Sequence, residues 1–234
     1  MIASLLLTLT LAAPGSTALE RMRAWVGDAR AVAAVEGYDV TADCSGPRRQ
    51  YRTRVAVRRS DGWARFTQWM DGAQSWDSVA VGRSVWEWDD DGRWNPGEDE
   101  ARSRDLGHQF LWMVLFPDEV FHGFGPPRSG TLDGTPVEWI PALETAGHPV
   151  ELAVEAGGRP VGLRVEKGGQ TGTLLIRFSD WKRVKGVRLP LAVEIAQGSD
   201  LYRFRFRQPE LRPPADAGWT PPPSSLDGGA RTSR

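Results

Sequence analysis

The sequence has little from which a conventional catalytic centre could be built. It contains one cysteine among 234 residues, Cys44, so an internal disulfide bond is impossible. A lone thiol acts as a nucleophile only beside a histidine and an orienting group. The three histidines, His108, His122 and His148, each stand alone in the sequence. We therefore interpret Cys44 as an inert, half-buried thiol.

The sequence motifs of common enzymes are missing as well. There is no G-x-S-x-G, no H-E-x-x-H, no glycine-rich phosphate loop and no Cys-x-x-Cys. The formal net charge of -1 gives no reason to expect a nucleic acid or an anionic membrane as partner. We predict a protein that is not an enzyme. The alternative, an enzyme of an unrecognised type, requires His122 or His148 beside carboxylates in a deep pocket.

The N-terminus begins with a short apolar run, IASLLLTLTLAA, from Ile2 to Ala13. This run is too short to span a bilayer as a helix. Pro14-Gly15 and then Ser16-Thr17-Ala18 follow it, and the latter is a small-x-small cleavage pattern. Although no Lys or Arg precedes the run, we predict a signal peptide over residues 1–18. The protein would then be periplasmic or otherwise exported, without a transmembrane span in its mature form.

The region from Gly158 to Leu211 has the alternating pattern of an antiparallel meander. Apolar residues recur at every second position, and turn sequences such as Lys167-Gly168-Gly169-Gln170 and Lys185-Gly186 separate the runs. The alternating sets are Val161, Leu163 and Val165, then Leu191, Val193 and Ile195, then Tyr202, Phe204 and Phe206. Each set is predicted to lie on one face of a strand. Arg203, Arg205 and Arg207 would form a basic, solvated opposite face.

A second series of strands is predicted from Tyr38 to Asp89, where tight turns such as Asp61-Gly62 and Asp71-Gly72 separate alternating runs. Two segments have helical spacing instead. The first is Leu19 to Glu36, ended by Gly37, and the second is Ala101 to Phe121, with a new turn starting at Pro117. The second helix is apolar nearly all round, which predicts burial on several sides or a role as the cover of an apolar opening.

Tryptophan is unusually frequent, with 11 residues against 3 tyrosines. Tryptophan favours cores, interfaces and binding cavities because it combines a large apolar area with one N–H group. One interpretation is that the aromatic residues only fill a core. The other is that some of them line a cavity for an apolar ligand. The predicted cavity residues are Trp63, Phe66, Trp69, Trp86, Trp88, Leu111, Trp112 and Leu115.

The acidic segment from Asp89 to Glu100 has the ligand spacing of a calcium loop. Counted from Glu87, loop positions 1, 3, 5, 9 and 12 carry oxygen donors, and Gly92 stands at position 6. The candidate metal ligands are Glu87, Asp89, Asp91, Asn95 and Glu98. The first ligand is Glu where Asp is usual, and only one copy is present. The alternative interpretation is a solvated acidic hairpin. No cofactor other than this calcium ion is predicted.

Three segments resemble the periplasmic lipoprotein carriers, the outer-membrane lipoprotein-sorting proteins LolA and LolB and their relatives. They are the strand RSVWEWD at 83–89, the strand and turn FSDWKRVKGVRLP at 178–190, and the closing segment 211–221 with Asp216 and Trp219. The resemblance implies an α+β fold: a large, curved antiparallel sheet, an incomplete β-barrel, with helices covering its concave face. It also implies that the space between them holds acyl chains.

Taken together, we expect a single domain over residues 19–223 and a disordered tail over 224–234. The predicted function is that of an exported, non-enzymatic protein that binds lipid or lipoprotein acyl chains. It would be a monomer with envelope membrane proteins as further partners. The alternative function is a calcium-stabilised exported interaction module whose tryptophans only form a core.

Overall fold

The computed structural model describes residues 17–82, 84–89, 91–97, 110–145, 147–166 and 172–220. Most of the predicted signal peptide, the first part of the second predicted helix, the turn at 167–170 and the predicted disordered tail lie outside these residues. Among the described residues, no helix is long and apolar enough to cross a membrane.

The first predicted helix is divided into two. Helix α1 spans Ala18–Val26 and α2 spans Ala29–Ala33. Thr17 and Glu20 form a capping box at the start of α1, which satisfies two backbone N–H groups. The prediction of one continuous helix to Glu36 is wrong because α1 ends at Gly27 and the Asp28 side chain accepts a hydrogen bond from Ala31 N at 2.8 Å, starting α2.

The second predicted helix region contains two short helices in its described part. Helix α3 spans Phe110–Leu115, and α4 spans Pro117–Val120 with proline at its first position, as predicted. A single 3-10 turn, Arg59–Asp61, lies between strands.

The described residues also form fourteen strands. Their bounds are β1 Gly37–Ser45, β2 Gln50–Arg58, β3 Trp63–Met70, β4 Ala73–Val81, β5 Ser84–Trp88, β6 Trp94–Pro96, β7 Phe121–His122, β8 Arg128–Leu132, β9 Thr135–Glu144, β10 Pro149–Val154, β11 Pro160–Glu166, β12 Thr173–Val184, β13 Val187–Gln197 and β14 Asp200–Phe206.

All fourteen strands belong to one antiparallel sheet. Its order is β6-β5-β4-β3-β2-β1-β14-β13-β12-β11-β10-β9-β7, and β8 pairs with β9. Two meanders are therefore joined where β1 pairs with β14, the first strand of the sheet with the last. Strands β6 and β7 end the order and do not pair with each other in the described part. The predicted α+β class, with a large and incompletely closed antiparallel sheet, is confirmed.

The two faces of the sheet have different contents. On the inner face, Val40, Val55 and Phe66 are register partners across β1, β2 and β3. They belong to one large apolar cluster, here called the inner cluster, which also contains the buried residues of α1 and α3 and Val120 of α4. Helix α1 contributes Leu19, Met22 and Val26, one stripe of its surface.

The outer face carries charged residues and a smaller apolar cluster. Trp63, Val79 and Trp94 are buried there around Ala56, and Trp86 packs against them. The last described segment, residues 207–220, continues beside β1 through an isolated bridge between Asp39 and Glu210 and then crosses the outer face. We call this segment the C-terminal strap.

Ion pairs and a tryptophan hold the C-terminal strap in place. Arg54 contacts Asp216 at 2.8 Å and also binds Asp39, while Arg65 contacts Asp216 at 3.3 Å and Asp77 at 2.6 Å. Further along the strap, the carbonyl of Trp219 accepts a hydrogen bond from Trp63 Nε1 at 2.9 Å. The strap thus covers the outer cluster, and the ring of Trp219 lies 5.0 Å from that of Trp94.

Candidate ligand-binding site

The inner cluster is built around α3. All six residues of this helix, FLWMVL, are buried. Burial on every side is expected because the helix is apolar on every side. The ring of Trp112 lies 6.2 Å from Tyr38 and 4.7 Å from Phe116, measured between ring centroids. Phe110, the first residue of α3, lies 5.4 Å from Phe204 of β14. An apolar layer of helix side chains thus lies directly on the inner face of the sheet.

One end of the inner cluster reaches a cleft of about 380 Å³, which we call the mouth cleft. The ends of β2, β3 and β14 and the β1–β2 turn line it. Its lining residues include Gly46, Arg48, Arg49, Tyr51, Gln68, Met70, Asp200 and Tyr202. Tyr51 and Tyr202 are only half-buried, and both pack against the inner cluster. The mouth cleft therefore combines charged residues at its rim with aromatic rings at its base.

Aromatic contacts connect the mouth cleft to α3. The ring of Tyr51 meets Phe204 edge to face at 6.3 Å, and Phe204 in turn lies 5.4 Å from Phe110. Burial and nearby groups raise the pKa of the Tyr51 phenol above its usual value, with burial as the main cause. The ring pairs form a continuous series of packed apolar contacts from the mouth cleft to the helix, here called the apolar path.

Four of the eight predicted cavity residues lie in the inner cluster: Phe66, Leu111, Trp112 and Leu115. Trp63, Trp86 and Trp88 lie on the outer face instead. Trp63 is fully buried there, and Trp88 is 37% exposed and contacts Trp94 at 5.5 Å. Trp69, which is half-buried, lines a separate cleft of about 620 Å³ with Thr41 and Arg52. The structure does not bring the eight residues together around one space.

The strand period explains this division. Side chains three residues apart on a regular strand point to opposite faces, so Trp63 and Phe66 cannot share a face of β3. In the sheet, Arg65, Val79 and Trp86 are register partners, which places Trp86 with the outer set. A register shift between Gln68 and Trp69 changes the pairing at the end of β3.

Sequence reasoning did not select several residues of the site, namely Tyr51, Trp76, Tyr202, Phe204 and Phe110. A signal for some of them was present, because the alternation of Tyr202, Phe204 and Phe206 predicts one shared face, and all three do lie in or against the inner cluster. Trp76 meets Phe66 at 5.9 Å across the β3–β4 pair. The alternation of side chains along each strand could therefore have indicated which of these residues lie on the inner face.

The candidate calcium ligands lie on the β5–β6 hairpin. Glu87 and Asn95 are register partners. The two carboxylate oxygens of Asp89 accept hydrogen bonds from Arg93 N at 2.8 Å and from Asn95 Nδ2 at 2.6 Å. The bond from Arg93 N is the main reason that the pKa of Asp89 is lowered. Glu98 lies outside the described residues, and those residues contain no group of three His, Cys, Asp or Glu side chains placed to hold a metal.

The candidate catalytic residues lie on different parts of the sheet: Cys44 on β1, His122 on β7 and His148 directly before β10. Cys44 is buried, and its Sγ lies 3.4 Å from Thr53 Oγ1. Burial raises the pKa of the Cys44 thiol to about 12, which disfavours the reactive thiolate. His148 lies 3.7 Å from the buried carboxylate of Glu144, but the His148 side chain is 38% exposed rather than in a deep pocket. His122 is exposed on β7, and His108 lies outside the described residues.

No family profile and no curated protein matches this sequence. Solved structures do resemble the fold. A LolA superfamily protein from Nitrosomonas europaea matches with a TM-score of 0.58 at 12% identity, over 86% of this chain and 96% of that chain. A DUF1329 family protein from Desulfovibrio piger matches with a TM-score of 0.59 at 7% identity, over 88% and 96%.

A third similar structure is a putative outer membrane lipoprotein-sorting protein domain from Vibrio parahaemolyticus. Its TM-score is 0.51 at 11% identity, over 74% of this chain and 84% of that chain. At these identities the likeness concerns the fold. The chain has a LolA-like fold, which confirms the resemblance predicted from the three short segments.

Proposed function

We propose that this chain is an exported, non-enzymatic binding protein that holds lipid or lipoprotein acyl chains against its inner face. The observation that carries the proposal is the apolar layer between α3 and the sheet, one end of which adjoins the mouth cleft through Tyr51 and Tyr202. The LolA-like fold supports it, because one similar structure is described as a lipoprotein-sorting domain.

The energetics favour such a ligand. Burying about ten methylene groups would contribute about 8 kcal/mol, at about 0.8 kcal/mol for each group. An acyl chain needs no polar partners along its length, and the inner cluster offers apolar side chains. Helix α3 occupies this space in the structure, so the ligand has to displace side chains of α3 from the sheet. Helix α3 ends at Leu115, and Pro117 has no N–H group with which to continue its hydrogen-bond ladder into α4.

The first experiment is native mass spectrometry of the protein, purified without detergent from a host that exports it. We expect an additional mass in the range of a phospholipid or acyl chain, lost on mild activation. A bare polypeptide that also fails to take up added fatty acid would contradict the proposal. A bare chain carrying one calcium ion would favour the alternative of a calcium-stabilised interaction module. N-terminal sequencing of the same sample tests the predicted cleavage near Ala18.

A pair of variants locates the ligand. Tyr51→Ala combined with Tyr202→Ala removes two half-buried rings at the base of the mouth cleft. Trp88→Ala removes a larger ring from the outer face, where it is 37% exposed. We expect the double variant to weaken the binding of a fluorescent fatty acid about tenfold or more, since each ring loses buried apolar contact. Trp88→Ala should leave the affinity unchanged. Equal losses in both variants would exclude the inner face as the binding site.

A further inference from the structure

Two arginines at the rim of the mouth cleft lack the carboxylate partners that their neighbours have. Arg52 contacts Asp43 at 3.5 Å and Arg203 contacts Glu194 at 2.8 Å. Arg48 and Arg49 line the cleft and form no ion pair within the described part of the chain. Both are exposed. Two adjacent unpaired guanidinium groups beside an apolar path have a charge available for an anionic ligand.

The turn that carries these arginines is packed in place. Gly46 N donates to Arg49 O at 2.9 Å, which closes the β1–β2 turn. A Cβ atom on Gly46 would come within 3.2 Å of the Tyr202 ring, so the turn lies directly against the aromatic base of the cleft. The guanidinium of Arg49 also contacts Met70 Sδ at 3.1 Å across the opening. The backbone of the turn and the side chain of Arg49 are therefore held in place at the mouth cleft.

Charge and size indicate what the mouth cleft accepts. One carboxylate, Asp200, lines it together with the two arginines, so its net charge at neutral pH is positive. Guanidinium groups bind phosphate oxygens through paired, charge-assisted hydrogen bonds. The volume of about 380 Å³ is at the low end for ligand pockets. It suits a polar head group, with acyl chains continuing along the path from Tyr51 to α3.

We propose that the mouth cleft binds the phosphate group of a phospholipid, held by Arg48 and Arg49 while the acyl chains enter the inner cluster. This inference rests on the proposed function, because it requires an acyl-chain site beside the cleft. It adds the ligand class: a lipid whose head carries a phosphate, in preference to a neutral lipid with the same chains.

The test compares two lipids by isothermal titration calorimetry with the purified protein. One is a short-chain phosphatidylglycerol used below its micelle concentration, and the other is the diacylglycerol with the same chains. We expect Arg48→Gln combined with Arg49→Gln to weaken phosphatidylglycerol binding about tenfold or more, the effect of losing a charge-assisted hydrogen bond. Diacylglycerol binding should not change. Binding of phosphatidylglycerol should also weaken as salt is raised.

A matched control removes the same charge elsewhere. Arg30 and Arg205 are exposed and form no ion pair in the described part of the structure, and neither lines the mouth cleft. The double variant Arg30→Gln with Arg205→Gln should bind phosphatidylglycerol as the unchanged protein does. If it weakens binding as much as the cleft variant, overall charge explains the effect and the inference is wrong.

Other outcomes separate the inference from the proposed function. If both lipids bind equally and the cleft variant changes neither, the phosphate site is refuted while the acyl-chain site stands. If neither lipid binds, the proposed function fails and the inference fails with it. Glycerol 3-phosphate is the probe for a soluble ligand. If it binds as tightly as phosphatidylglycerol, and this affinity is lost in the cleft variant, the site takes a free phosphate ester and the lipid assignment is overturned.

Discussion

The carboxylate of Asp216 lies at the centre of the ion network that fastens the C-terminal strap to the outer face. It accepts hydrogen bonds from Arg54 at 2.8 and 3.0 Å and from Arg65 at 3.3 Å. The side chain of Asp216 is 31% exposed and that of Arg54 is 25% exposed. Because both groups are partly removed from water, the interaction is screened less than a pair on the open surface.

Replacing Asp216 with Asn keeps the shape of the side chain and removes its charge. The amide retains one acceptor oxygen but turns an NH₂ group toward a guanidinium, so at least one charge-assisted hydrogen bond is lost. We expect the free energy of unfolding to fall by about 2 kcal/mol. For a chain of this length that corresponds to a decrease of about 4–8 °C in the midpoint of thermal unfolding. Circular dichroism at neutral pH measures it.

The pH dependence gives a second, independent readout. Hydrogen bonds from Arg54 are the main reason that the pKa of Asp216 is lowered in the folded protein. A carboxyl whose folded pKa is depressed stabilises the fold above its unfolded pKa, and this stabilisation is lost as the pH falls through the folded pKa. The difference in stability between the unchanged protein and Asp216→Asn should therefore be full at neutral pH and shrink below about pH 4. Hydrogen exchange should also quicken along the strap.

Asp133→Asn is the matched control. Asp133 also binds one arginine through two hydrogen bonds, to Arg177 Nε at 2.6 Å and to its Nη2 at 3.0 Å, but the Asp133 side chain is 60% exposed. Its positive φ of 50° is tolerated by Asn as well as by Asp. Exposed pairs contribute about 1 kcal/mol or less. Equal losses in the two variants, or a loss in Asp216→Asn that does not change with pH, would refute the reasoning from burial.

Three further predictions concern the backbone, the thiol and the hairpin. Gly158→Ala should lower the free energy of unfolding by more than about 2 kcal/mol, because φ is +88° and the new Cβ would clash with the carbonyl oxygen of Arg21. In Gly134→Ala φ is +79° but no atom lies within 4 Å of the new Cβ, so the loss should be only about 1 kcal/mol. Urea unfolding measures both. Cys44 should react with a thiol reagent at pH 8 only after unfolding, since it is buried and its pKa is raised to about 12; rapid reaction of the folded protein would contradict this. Millimolar calcium should not raise the thermal midpoint, because both Asp89 oxygens already accept hydrogen bonds, and a rise that disappears in Asp89→Asn would instead support the calcium loop.

The strands were largely predictable because alternation and turn residues are local signals. The run between the predicted turns Asp61-Gly62 and Asp71-Gly72 is strand β3, Trp63–Met70. The exposed Arg203, Arg205 and Arg207 alternate with the less exposed Tyr202, Phe204 and Phe206, as expected. Irregularities were not predictable. Val161 was expected to share a face with Leu163. A register shift leaves Val161 without a partner in β10, between Gly162 and Pro160, and it packs against the small cluster around Leu132.

The site was predicted less well than the fold, for a physical reason. Counting aromatic residues does not reveal which face of a sheet each ring occupies, and the strand period does so only within one strand. The outer tryptophans Trp63, Trp86 and Trp94 are covered by the C-terminal strap, which is distant from them in the sequence. No local sequence pattern predicts the contact between the strap and these tryptophans.

The division of the tryptophans between two faces also restricts where a ligand can bind. The outer cluster is closed by the C-terminal strap, whose ion pairs with Arg54 and Arg65 would have to break before a ligand could enter. The inner cluster is covered by α3, and the rings of Tyr51 and Phe204 connect it to the mouth cleft. An acyl chain that displaces apolar side chains replaces one set of apolar contacts with another. Opening the strap would instead separate the charges of its ion pairs. The proposed apolar ligand would therefore be accommodated at a lower cost in free energy on the inner face than on the outer face.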